Sequence, residues 1–212
     1  MGKYVPEKDV PATSLKLNKI YSTTRLIAIG ASTGGPIALK TIIQGLPKQF
    51  PVPVLIVQHI ALGFIQGMAD WIGLNSNIQI SIAQNDEYVL PGHVYLAPNN
   101  CQMGIEPNGK IILSDDNTEN GLRPSVSYLF RSVANSYGRH AVGVLLTGMG
   151  HDGAKELKLM KDTGAVTIAQ DEKSSAIYGM PGEAKKINGA KYILPPDEIV
   201  KMLISLTNKK FD

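Results

Sequence analysis

The chain has 212 residues, 43% hydrophobic and 18% charged, a balance that fits one soluble globular domain with a single sizeable core. Lys and Arg outnumber Asp and Glu only 21 to 18, with no dense basic run before Lys209 and Lys210, so a nucleic-acid partner is not expected. The lone cysteine excludes an internal disulfide framework, no apolar run reaches the roughly 18 residues that cross a bilayer, and the polar N-terminus lacks a signal-peptide core, which points to the cytoplasm without direct membrane insertion.

Residues 1–23 carry two prolines, several lysines and no periodicity, and read as a tail or linker; 24–212 then read as a single domain. LIAIG (26–30) is a buried-strand run followed by PIALKTIIQGLP, where Ile37, Ile42, Ile43 and Leu46 line one helix face. VPVLIVQ (52–58) is a second strand and HIALGFIQGMADWIGL a second helix, where Phe64, Met68, Trp71 and Ile72 recur at helical spacing and Met68 and Trp71 are assigned to the core. The runs IQISIAQ, HVYLAP, CQMGIEP and KIILS break the alternation, and the Asn-Gly pair in PNGK predicts a hairpin inserted in or flanking the sheet. Cys101, with no second Cys or close His, reads as a packed thiol. DDNTENGLRPS is a polar surface loop, and SVSYLFRSVANSY returns to helical spacing. AVGVLLT (141–147), the helix AKELKLMKDTG and AVTIAQ (165–170) form the clearest βαβ unit. A short helix in PGEAKKING, a short strand YIL and a helix PDEIVKMLISLTN with Pro and acids in its first turn complete the chain. The expected fold is α/β: three layers, α/β/α, with a mainly parallel, doubly wound sheet of about seven strands plus an inserted β-hairpin.

Ligands of such a sheet bind beyond the carboxyl ends of its strands, and three polar residues fall there. Ser32 lies in Gly30-Ala31-Ser32-Thr33-Gly34, a G-x-S-x-G between a strand and a helix, as a nucleophile elbow requires. A serine hydroxyl needs a base to take its proton, and a His oriented by a carboxylate is the usual solution. His59 after VLIVQ and Asp152 after VGVLLT supply both, with His151 as the second choice of base. The competing motif is Gly148-Met149-Gly150-His151-Asp152-Gly153, a G-x-G-x-x-G with Asp171 about 20 residues beyond, which by pattern alone is a dinucleotide site. Asp152 argues against it, because it brings negative charge to where a pyrophosphate would sit.

The segments IGASTGGP, VPVLIVQHI, GHVYLAP, RPSVSYLF, GVLLTGMGHDGA and AQDEKSSAIYGMPGEA resemble, in order, the motifs of the catalytic domain of the chemotaxis protein-glutamate methylesterases. The resemblance implies Ser32 as nucleophile, His59 as base and Asp152 as its partner, with the Met149 backbone N–H and, less directly, Thr33 as oxyanion donors. It implies no cofactor or metal. The implied substrate is a glutamate γ-methyl ester on the cytoplasmic helices of methyl-accepting chemoreceptors, with glutamine deamidation as a second activity. Arg123 in GLRPS is a candidate contact for an acidic receptor surface, and Asp171 and Glu172 could line the cleft or close a turn. Most relatives carry an amino-terminal receiver domain, which 23 residues cannot form, so control in cis is not expected of this chain, whether it is free-standing or a fragment that begins in the linker. Ser127 stands where the resemblance leads one to expect an acid, which puts contacts there in doubt. A catalytically silent adaptor and a conventional α/β-hydrolase are the remaining rivals, disfavoured by the intact triad and by its chain order.

Overall fold

The structure is a computed structural model and describes residues 24–207; the proposed tail at 1–23 lies outside the described residues. Nine strands and six α-helices follow in order: β1 (Leu26–Ala31), α1 (Gly35–Gly45), β2 (Val54–Gln58), α2 (Ile65–Gly73), β3 (Gln79–Ile82), β4 (His93–Leu96), β5 (Gln102–Ile105), β6 (Ile111–Ser114), α3 (Val126–Tyr137), β7 (Ala141–Leu145), α4 (Ala154–Asp162), β8 (Val166–Gln170), α5 (Met180–Lys186), β9 (Tyr192–Leu194) and α6 (Pro196–Thr207). Seven strands form one sheet in the order β3-β4-β2-β1-β7-β8-β9, with every pairing parallel. The expected hairpin is β5–β6, antiparallel from Gln102↔Ser114 to Ile105↔Ile111 and turning through the Asn108-Gly109 pair. The two runs before it, β3 and β4, join the parallel sheet instead, because a helix carries the chain across before β3 and the loop at 83–92 returns it to pair β4 beside β3.

Strand alternation splits the core into two layers. Ile27 and Ile29 of β1 face α1, α2 and α6, while Leu26 and Ala28 face α3, α4, α5 and the hairpin. Burying each Val, Leu or Ile in these layers contributes about 1.5–3 kcal/mol, so both faces must stay covered. Right-handed crossovers place the helices: β1 to β2 steps one way across the sheet and β7 to β8 the other, so α1 and α4 lie on opposite faces. The carboxyl ends of β2, β1 and β7, three neighbours, therefore open into a crevice between departing helices. None of the helices among the described residues is long and apolar enough to cross a membrane.

Trp71, assigned to the core, and Ile37 and Phe64, placed on helix faces by their spacing, lie outside it. Ile37 is 72% exposed, Phe64 64% and Trp71 37%. The buried stripe of α2 is Ile65, Met68, Ala69 and Ile72, and Phe64 and Trp71 each precede a member of it, about 100° round the helix. Trp71 instead carries the Lys40 ammonium over its ring at 4.0 Å. Along α1 the stripe is Ala38, Leu39, Ile42 and Ile43, continued by Leu46 and without Ile37.

Candidate active site

Where β1 ends, the chain turns sharply into α1. Gly34 adopts φ 82°, a conformation costly for any residue with a Cβ, and the Gly35 N–H donates to Ser32 O at 2.8 Å. Ser32 is half-buried and tied to the neighbouring strand end through its own N–H, which donates to Thr147 O at 3.0 Å. The turn after β7 passes so close that a Cβ on Gly148 would stand 2.6 Å from Ser32 Cβ and 2.3 Å from Met180 Sδ. Glycine is required there by close approach.

The β1–β2 register runs to Ala31↔Gln58, so Ser32 and His59 are the next residues on adjacent strand ends, and the His59 N–H donates to Ala31 O at 2.9 Å. His59 Nε2 lies 3.0 Å from Asp152 Oδ2. That leaves Nδ1 as the ring nitrogen available to a substrate or a serine. Among the described residues Ser32 Oγ hydrogen-bonds to none, His59 included; such bonds commonly tighten only once a substrate is bound.

Asp152 does not stand free at its strand end. Its carboxylate, 3% exposed, plugs the amino end of α3. Oδ2 accepts from the Val126 N–H at 2.7 Å as well as from His59; Oδ1 accepts from Ser125 Oγ at 2.9 Å, the Ser127 N–H at 3.2 Å and Asn120 Nδ2 at 3.1 Å. The unpaired N–H groups of a helix start and its positive end favour an anion there. Burial alone would raise the Asp152 pKa, but the donors from His59, Ser127 and Val126 outweigh it and hold the carboxyl well below the usual carboxylate range.

An acid sensitivity follows with a definite sign. Because the folded pKa lies below the unfolded one, the unfolded chain binds the extra proton; the stabilisation is complete above about pH 5 and is lost as pH falls through the carboxylate range. Melting temperature measured from pH 6 down to pH 3 should therefore drop more steeply for the parent chain than for Asp152→Asn. Parallel curves would show that Asp152 carries no such linkage.

The other residues singled out in the sequence fall in different places. Thr33 is exposed beside Ser32, and its carbonyl accepts from Thr147 Oγ1 at 2.9 Å. The Met149 side chain is 74% exposed, and its N–H meets no acceptor among the described residues. Arg123 donates through Nη1 to the carbonyls of Asp115 and Asp116, at 2.7 and 3.2 Å, and so holds a loop. Asp171 closes a turn by accepting from the N–H and hydroxyl of Ser174, while Glu172 is exposed. His93 bonds Ser81 Oγ and stacks on Tyr95, and His151 is exposed next to Asp152. The G-x-G-x-x-G turn is filled by the protein itself: the Gly153 N–H donates to Ser127 Oγ at 2.9 Å, and Gly148 bonds Ile177, Gly179 and Met180 through its backbone. Asp152, buried beneath the same turn, keeps negative charge where a pyrophosphate would sit.

The sequence reading missed the residues that hold Asp152. Ser127, doubted for lacking a charge, is 3% exposed and bonds both Asp152 and Gly153. Ser125 caps α3 with its hydroxyl, and a serine directly before a helical run is a legible signal for that. Asn120 belongs to the supposed surface loop, which Arg131 secures by pairing with Glu119. Buried Gln102 anchors the same loop by donating to Asn117 O and Leu122 O, each at 3.2 Å, and accepting from the Ser125 N–H at 2.9 Å.

A family model described as CheB methylesterase matches residues 27–203. Protein-glutamate methylesterase/protein-glutamine glutaminase 1 of Syntrophus aciditrophicus is 54% identical over 190 residues, 90% of this chain and 54% of the relative. A protein of the same description, numbered 4, from Geobacter metallireducens is 51% identical over 209 residues, 97% of this chain and 60% of its own. The chain thus spans little more than half the length of these relatives. The crystal structure of the Thermotoga maritima CheB methylesterase catalytic domain superposes with a TM-score of 0.83 at 36% identity, covering 86% of this chain and 98% of that one.

Proposed function

The chain belongs to the CheB methylesterase family, and from that premise we propose that it is a serine hydrolase that demethylates glutamate γ-methyl esters of chemoreceptors in chemotaxis adaptation. The observation that carries this reading is the 3.0 Å His59–Asp152 pair, built on a buried, donor-caged carboxylate one strand away from the Ser32 turn. Ser32 Oγ attacks the ester carbonyl while His59 Nδ1 takes its proton; Asp152 accepts from Nε2–H, fixing the tautomer and stabilising the imidazolium. The oxyanion is received by backbone N–H groups at Met149 and Thr33, beside the amino end of α1. His59 returns the proton to the leaving methoxide, methanol departs, and water, deprotonated in turn by His59, releases the glutamate carboxylate and restores Ser32. With a glutamine side chain the same steps expel ammonia, which accommodates the glutaminase half of the relatives' description. The domain so assigned runs over 24–212, works in the cytoplasm on receptor helices and needs no cofactor or metal; Arg123 contributes by holding the 115–116 loop.

The test is methanol release from a receptor peptide bearing a glutamate γ-methyl ester, together with mass-spectrometric mapping of a serine-reactive phosphonate. Turnover with the phosphonate on Ser32 is expected. Methanol release no faster than the uncatalysed rate, or a label elsewhere, overturns the assignment.

A further inference from the structure

Gln58, the last residue of β2, has no part in the steps above, yet it touches both residues that perform them. Its side chain is 3% exposed, and its single Nε2 donates to Ser32 O at 2.9 Å and to His59 O at 2.8 Å. We infer that Gln58 is a positioning residue whose amide clamps the nucleophile and base turns together, an inference that rests on the esterase reading. Without the donor, two carbonyl oxygens facing one small buried space would repel each other. The backbones at 32 and 59 would part, carrying Oγ and the imidazole with them.

The other end of the amide supports this. Gln58 Oε1 is buried and has no hydrogen-bond partner among the described residues, an unfavourable state for a buried acceptor. Turning the amide over would not relieve it, because the oxygen would then face the carbonyls of Ser32 and His59. Two comparable buried glutamines have both ends satisfied. Gln170, which ends β8, accepts from the Thr147 N–H and donates to Ser174 O; Gln102 accepts from the Ser125 N–H and donates to two carbonyls. Of these three buried glutamines, Gln58 is the one whose acceptor is left unmatched while its amide nitrogen makes two bonds. Space is also kept for it: a Cβ on Gly35 would come within 2.1 Å of Oε1 and 2.8 Å of Ala31 Cβ. Gly35 thus leaves room for the amide to lie under the elbow.

Gln58→Met keeps the length and burial but removes the donors. It is expected to lower both kcat for methanol release and the rate of phosphonate labelling of Ser32 about 10- to 100-fold, with KM within about 2-fold. Gln58→Glu, closer in shape but offering carbonyls no donor when ionised, is expected to lose more of kcat than Gln58→Met. A packing role predicts the reverse order. Parent-like labelling and kcat in Gln58→Met, the reverse order, or a Gln58→Met chain that fails to fold each overturn the brace. If the parent chain itself neither labels nor turns over, the esterase reading falls and takes the brace with it.

Discussion

Replacing Ser32 by Ala is expected to reduce methanol release by about 10⁴- to 10⁶-fold, with kcat carrying the loss and KM nearly unchanged. The hydroxyl is the group that forms the acyl intermediate in the proposed mechanism, while the hydrogen bonds that hold Ser32 among the described residues run through its backbone, from its N–H to Thr147 O and to its carbonyl from Gly35 and Gln58. Alanine keeps all of these. Stability should therefore change by no more than about 1 kcal/mol, so that circular dichroism and thermal melting match the parent. That combination, an intact fold with catalysis removed, separates a nucleophile from a helix-capping serine. A Ser32→Ala chain with turnover near the parent's would transfer the chemistry to another residue and leave the elbow as a turn.

Asp152→Ala is expected to strike both activity and stability. The substitution strands the Val126 N–H and the Ser125 hydroxyl proton at the buried start of α3, leaves the Ser127 N–H with its Ser125 Oγ acceptor alone, and takes the partner from His59 Nε2. Water can reach some of these donors, so a loss of about 2–4 kcal/mol is expected, or about 5–15 °C in melting temperature for a domain of this size. Asp152→Asn separates the two effects. An asparagine that keeps its oxygen toward Ser125 and Ser127 presents its NH₂ to His59, which must then accept at Nε2 and carry its proton on Nδ1. That nitrogen can no longer take a proton from Ser32. Turnover should fall about 10⁴-fold in both variants while Asp152→Asn keeps more of the melting temperature. Near-parent kcat in Asp152→Asn would show that the carboxylate holds α3 and does not set the tautomer.

Much of the site was legible because its signals are short-range. Buried-strand runs identify β1, β2 and β7, with Ser32 and His59 directly beyond the first two and Asp152 in the glycine-rich turn that follows the third. Parallel pairing of adjacent strands then carries them to one edge. Helical spacing placed Met68 and Ile72 correctly, but it could not say how wide the buried stripe would be. Phe64 and Trp71 lie at the border of that stripe, where the neighbouring layer ends, and only packing decides which side they fall on.

What the sequence determined by itself is the order of strands and helices, the two-sided burial of the sheet and the chemistry available at three strand ends, since all of these follow from periodicities within a few residues of chain. Tertiary structure alone decided which His59 nitrogen meets Asp152, why an uncharged residue suffices at Ser127, that a loop asparagine completes the carboxylate's cage, and that Gln58 bridges the carbonyls of nucleophile and base. The contacts to Asp152 join residues 25 to 93 positions apart, and that from Gln58 to Ser32 joins residues 26 apart. They depend on register, on the crossing of helices and on loop closure, for which a linear chain carries no local signal.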